Sequence, residues 1–205
     1  MAEVKETGVK DPDRREQILQ GAGELFATKG VSATTVREIG NAAGLLSGSL
    51  YHYFDSKEAM VEAIVAAFLT DLSAAYAAAS ALDDDDPREC LAAMIRASFQ
   101  VMAKHPYACH IFQHDFNHLR TLPRFEALDA MARDSERAWL DVLAAGVARG
   151  QFRDDVDPLV FYRFNRDAIF LTVRWYREGG HYSLDELADS CISIFLQGYA
   201  VPPAR

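Results

Sequence analysis

The stretch Thr34–Lys57, TTVREIGNAAGLLSGSLYHYFDSK, decides the fold. It reads as two short helices joined by a tight turn and followed by the start of a third. Thr35 stands three residues before Glu38, the spacing of a capping box: a threonine hydroxyl accepts from an orphaned helix N–H, and the glutamate reaches back. Val36, Ile39 and Ala43 then fall at helical spacing and predict one apolar face. Gly44 lets the backbone turn without a Cβ clash. Gly40, four residues earlier, marks a helix crossing with room for a small side chain, and Leu45 and Leu50 plug the corner. A second helix is predicted to begin at Ser47 or Ser49. Its exposed face carries Ser47, Gly48, Ser49, Tyr51, His52 and Tyr53, a short polar and aromatic surface of the kind that enters a major groove. Arg37, Ser47, Ser49 and Tyr51 are expected to face bases, with Thr35, His52, Tyr53 and Lys57 on phosphates. Lysine in the first turn of the third helix opposes the helix dipole, which a phosphate contact would explain.

At these residues the chain resembles the TetR family of bacterial repressors. The resemblance runs through Thr-Val-Arg-Glu-Ile, Ala-Ala-Gly, Ser-Gly-Ser-Leu-Tyr-His-Tyr-Phe and Ser-Lys-Glu, over about residues 13–65. One departure is Gly40, where that family usually carries Ala; glycine loosens a helix by about 1 kcal/mol relative to alanine. The resemblance implies an all-α chain with a three-helix, helix-turn-helix DNA-binding domain at 13–57. A larger ligand-binding and dimerisation domain follows at 58–205, with about nine helices in all, and residues 1–12 form a polar tail.

Composition sets outer bounds. The 205 residues carry a net charge of −9 and are half hydrophobic, enough for a full core. No uninterrupted apolar run approaches the ~20 residues of a membrane span. Three scattered cysteines, Cys90, Cys109 and Cys191, form no CxxC pair and fit buried thiols in a reducing cytoplasm. Acidity is unusual for a nucleic-acid binder, but it is unevenly placed: residues 1–57 hold 7 basic and 8 acidic groups, so most of the surplus lies beyond them. The reader is near neutral and must rely on a few placed contacts.

Periodicity predicts helices at 13–29, 56–82, 87–104, 122–149, 158–178 and 183–199, with Gly30, Pro87, Gly150, Pro158 and Gly179 as punctuation. The four aspartates at 83–86 read as a solvated loop. His110, His114 and His118 recur every four residues in the ambiguous segment 106–120. Histidines at that spacing can chelate zinc or copper, so a metal-responsive regulator stands as an alternative, although the first and third diverge by about 80° around a helix. In 158–178, Phe161, Phe164, Ala168, Leu171 and Trp175 form an apolar seam. Arg163, Arg166, Phe170, Arg174 and Arg177 fall on the opposite stripe, which suits either ion pairs with the surplus carboxylates or an anionic ligand. Two apolar helices at the end of the chain read as a dimer interface through Phe164, Leu171, Trp175, Cys191, Ile194 and Phe195, with core packing inside one subunit as the other reading.

LPRFEAL and YRFNRDAIFLTVRWYREGG extend the resemblance to the actinobacterial TetR-type repressors of cholesterol and steroid-ring breakdown. That group responds to CoA thioesters of partly degraded rings. It implies Arg166, Phe170 and Arg174 at the ligand site, with Phe170 in place of a Trp, which leaves the acyl group open. An enzyme is the remaining class. No GxSxG or GxGxxG lies in a strand-turn-helix setting, so the expectation is a dimeric cytoplasmic repressor without cofactor or metal. Its partners would be operator DNA and a small effector, for which an acyl-CoA is the candidate.

Overall fold

The computed structural model describes residues 12–81 and 86–199, and is all-α. Residues 1–11 of the expected tail at 1–12 and the aspartates at 83–85 lie outside the described residues, and Pro12 already belongs to the first helix. Ten α-helices follow in order: α1 Pro12–Lys29, α2 Val36–Ala42, α3 Ser47–Leu50, α4 Lys57–Ser80, α5 Pro87–Lys104, α6 Pro106–His114, α7 Phe116–Leu119, α8 Glu126–Ala148, α9 Pro158–Leu171 and α10 Leu184–Tyr199. One turn of 3-10 helix, Pro123–Phe125, leads into α8, and another, Thr172–Arg174, closes α9.

The reader is built by local chemistry. Gly30, at φ +83°, stops α1, and Gly44, at φ +64°, turns the chain after α2; both values lie where a Cβ is strained. Thr35 and Glu38 form the capping box: the Glu38 N–H donates to the threonine hydroxyl at 3.3 Å, and the Thr35 N–H donates to the Glu38 carboxylate at 2.9 Å. Glu38 also pairs with Lys29, which ties α2 back to α1. Gly40 is explained by the corner. A Cβ there would sit 2.9 Å from the Leu45 carbonyl oxygen, so this turn is tighter than one that admits alanine. Ile18, Ala22, Phe26, Ile39, Leu50 and Phe54 fill the core beneath it.

Beyond the reader, α4 is the spine. Ser56 caps it, accepting from the Ala59 N–H at 3.1 Å. By length and composition α4 is apolar enough to cross a membrane, although Glu62 and Asp71 interrupt its apolar run. Here Met60, Val61, Val65, Phe68, Leu69 and Leu72 are core residues instead. Two of its carboxylates are engaged within the chain: Asp71 meets Lys104 and His105 at 2.7 Å each, and Glu62 meets Arg124 at 2.9 Å. The other arm of Arg124 holds Asp55 at 2.8 Å, across the boundary between reader and receiver. Asp86 caps α5, with Pro87 in the first turn, as the sequence indicates. Gly146 in α8 faces the ring of Phe152, which folds back so closely that a Cβ would fall 2.0 Å from it.

Four elements depart from the periodicity. The reader helix α3 is four residues long, and the chain turns through 51–53 instead of extending it. Segment 106–120 is two helices broken at Asp115. The helix from 158 ends at Leu171, not at 178. There Thr172 turns its hydroxyl back to the Ala168 carbonyl at 2.8 Å, and the Trp175 and Tyr176 N–H groups both close on the Thr172 carbonyl. Such back-bonding competes with regular helix. Finally, α10 turns Leu187, Ala188, Cys191 and Phe195 inward and leaves Ile194 outside.

Candidate DNA-reading surface and ligand cavities

The α2–α3 corner presents the residues expected to read DNA. Thr35, Arg37, Gly48, Tyr51 and His52 are exposed, Tyr51 at 58%, whereas Ser47, Ser49 and Tyr53 are half-buried. Because α3 is so short, Tyr51, His52 and Tyr53 project from the turn that follows it, not from the helix. Leu46 is 82% exposed at the same corner; periodicity gave no sign of it. Lys57 behaves differently from the phosphate contact expected of it. Its ammonium donates to the Val31 carbonyl at 2.7 Å and the Thr34 carbonyl at 2.9 Å, so two of its three donors are taken inside the fold. Arg15 lies over the Phe54 ring at 4.9 Å and braces the back of the reader.

The arginine stripe divides. Arg166 opens on a cavity of about 270 Å³ between α6–α7, α8 and α9, whose walls include Phe112, Gln113 and Tyr162. Its guanidinium donates to Asp167 at 2.9 Å and lies 5.6 Å from the Tyr162 ring centre. Arg174 opens on a different cavity of about 680 Å³, where the end of α1 (Ala27, Thr28) meets Tyr107, His110 and Arg177. Phe170 lines neither. It is buried, edge-on to Phe68 at 5.5 Å, in an aromatic cluster that also takes in Phe112. The single wall of Arg166, Phe170 and Arg174 expected from the resemblance is therefore corrected to two arginine-bearing cavities with a core phenylalanine behind them. The early end of α9 is the cause, since it carries Arg174 and Arg177 off the helical stripe.

The histidines also separate. His110 and His114 stack at 6.2 Å on α6, and the break at Asp115 puts His118 on α7. His114 Nε2 lies 2.8 Å from Arg174. Burial, with His114 and Arg174 nearby, holds the His110 pKa below its ordinary value, which keeps the ring neutral beside the guanidinium. Among the described residues no three His, Cys, Asp or Glu side chains come together.

On the outer face, Val160, Phe164, Trp175 and Ile194 are exposed large apolar side chains, Phe164 at 66% and Ile194 at 70%. Phe161 on α9 and Phe195 on α10 meet edge to face at 6.2 Å, while both helices pack against α5. Of the six residues expected at a dimer interface, Phe164, Trp175 and Ile194 are free for one and Leu171 is half-buried. Cys191 is corrected to the subunit's own core, and Phe195 packs half-buried against Phe161.

Residues 18–64 match the model of the bacterial regulatory proteins of the tetR family, and residues 84–199 match that of the tetracyclin repressor-like C-terminal domain. The chain is 44% identical over 191 residues to the HTH-type transcriptional repressor KstR2 of Rhodococcus jostii, covering 92% of both chains. It is 39% identical to its namesake in Mycolicibacterium smegmatis, covering 94% of each. Its fold matches the structure of the ketosteroid transcriptional regulator KstR2 of Mycobacterium tuberculosis with a TM-score of 0.86 and 37% identity, over 94% of this chain and 98% of that one. With a capped helix-turn-helix in front of a helical receiver, the protein is a DNA-binding transcriptional repressor, not an enzyme, and belongs to the TetR family.

Proposed function

We propose that the protein binds a near-palindromic operator as a homodimer in the cytoplasm and leaves it when a small anionic effector, a CoA thioester from steroid-ring breakdown, fills the receiver. The observation that carries the effector class is the pair of arginine-bearing cavities flanking the buried Phe170, in a chain that is otherwise strongly acidic. The smaller cavity is rich in guanidinium groups and suits phosphates. The larger has apolar walls and the volume for a fused-ring fragment, and it touches α1 of the reader. The relatives named as KstR2, one of them described as a ketosteroid regulator, support the same class.

The exposure of Phe164, Trp175 and Ile194, three large apolar side chains drawn from the last helices, supports dimerisation through them. A dimer sets two α2–α3 corners on successive major grooves, about 34–36 Å apart. Arg37, Ser47, Gly48, Ser49 and Tyr51 then serve the bases, and Thr35, His52, Tyr53 and the remaining Lys57 donor serve phosphates. An effector that fits only the splayed arrangement needs ~5.5 kcal/mol of preference to turn 1:99 into 99:1.

The test is a gel-shift titration with steroid-derived acyl-CoA on Arg166→Ala and Arg174→Ala. Each variant should bind operator as the wild type does and need roughly 10- to 100-fold more ligand for release, the effect of one lost charge-assisted contact of ~1.5–3 kcal/mol. Release of both variants at the wild-type ligand concentration would remove the arginines from the ligand site.

A further inference from the structure

The smaller cavity holds more positive charge than the helical stripe accounts for. Arg120, Arg133, Arg163 and Arg166 all line it, drawn from the end of α7, from α8 and from α9. Arg120 and Arg133 share one largely buried carboxylate, Asp129, and Arg166 leans on Asp167. Arg163 has no ion pair or hydrogen bond among the described residues. Two carboxylates thus hold three of the guanidinium groups, and Glu136 is the sole acid in the lining itself. The Gln113 side-chain N–H₂ group is also buried on this wall without a hydrogen-bond acceptor. Buried amide donors are normally satisfied, so an acceptor belongs there. A concave site with four planar cationic forks and an unmatched amide donor fits a multiply charged oxyanion, because each fork can take two phosphate oxygens at once.

We infer that this cavity is the seat for the diphosphate-bearing end of the effector, and that Arg120, Arg133 and Arg163 bind it together with Arg166. The inference rests on the acyl-CoA reading above and assigns that molecule's phosphates to one place. Asp129 has a defined part: it presents Arg120 and Arg133 to the cavity in a fixed pose before any ligand arrives. A singly charged anion gains little against that carboxylate, whereas a diphosphate meets several guanidinium groups at once. The site therefore selects for charge and number of oxygens, independently of the acyl group.

The experiment uses full-length protein and two probes, inorganic pyrophosphate and unacylated coenzyme A, followed by titration calorimetry and by melting temperature. Sodium sulfate at equal ionic strength is the control. The wild type should bind coenzyme A and be stabilised by pyrophosphate well beyond sulfate. Arg163→Ala should weaken coenzyme A binding roughly 10- to 100-fold with an unchanged melting temperature, because that side chain is exposed and holds nothing else in place. Arg133→Ala with Arg163→Ala should abolish the pyrophosphate effect, and Arg174→Ala, in the other cavity, should leave it intact. Pyrophosphate acting no more strongly than sulfate would overturn the inference, as would Arg163→Ala binding coenzyme A like the wild type. Release of operator by acyl-CoA at the same concentration from wild type and from the double variant would overturn the cavity's role and leave the repressor reading standing. Pyrophosphate binding that the double variant loses, without any release of operator by acyl-CoA, would support the cavity and sink the effector class alone.

Discussion

Replacing Lys57 by Met keeps the aliphatic stem and removes the ammonium. Two hydrogen bonds disappear, at 2.7 and 2.9 Å, and with them the clasp between the start of α4 and the corner that joins α1 to α2. The side chains of Val31 and Thr34 are at most 4% exposed, so their carbonyls are poorly placed to recruit water instead. A bond to a charged donor is worth ~1.5–3 kcal/mol, and a stranded acceptor costs a similar amount. Lys57 itself is half-buried, so the lower end applies to each bond, for a total of about 3 kcal/mol. In a chain of this length each kcal/mol moves the melting temperature by ~2–4 °C, which gives a fall of ~6–12 °C. Calorimetry measures it directly. The third donor is still available to a phosphate, and its loss should lower the slope of log affinity against log salt by ~0.9. An unchanged melting temperature would refute the clasp; an unchanged salt slope would refute the phosphate contact.

Other expectations follow from separate features. Ile194→Asp places a carboxylate in the exposed apolar stripe, at a cost of several kcal/mol if that stripe is covered in a dimer; ultracentrifugation should show folded monomers, and persisting dimers would move the interface elsewhere. Gly146→Ala should lower the melting temperature, because displacing the Phe152 ring forfeits ~1.5–3 kcal/mol of burial against a helix gain of ~1 kcal/mol; a raised melting temperature would contradict the contact. Lys29, then the Thr35 N–H, hold Glu38 down to about 2 from an ordinary 4.5. Its stabilisation is therefore complete above that ordinary value and fades as pH falls toward about 2. Between those limits the wild type should lose melting temperature more steeply than Glu38→Gln, and parallel curves would show that the charge contributes nothing.

What was legible in the sequence was local. The Thr35–Glu38 box, the Gly44 turn, the Ser56 cap and the Asp86-Pro87 start each depend on residues within four positions of one another, and the structure has them all. The end of α9 was not legible because apolar spacing continues past Leu171, while the hydroxyl of Thr172 redirects the backbone. Nothing local marks Gly146; its role depends on Phe152, which returns from the following loop. The arginine-lined cavity was half visible. Arg163 and Arg166 stood out on one helix, but Arg120 and Arg133 reach them through packing of α7 and α8, and the Asp129–Arg133 spacing of four was the one hint. At the outer stripe, Phe164 and Trp175 of the seam are exposed, yet apolar spacing alone does not tell an inward Cys191 from an outward Ile194.

The grip of Arg124 on Asp55 and Glu62 bears on how such repressors can be recombined. A reader excised at residue 57 and grafted onto another receiver takes Asp55 along and leaves both Glu62 and Arg124 behind. The portable unit is consequently larger than the helix-turn-helix: it runs into α4 past Glu62 and requires an arginine at the start of the recipient's α8. Chimeras cut after that point keep the joint between the two domains, and those cut before it inherit a sensor and a reader with one of their cross-ties missing.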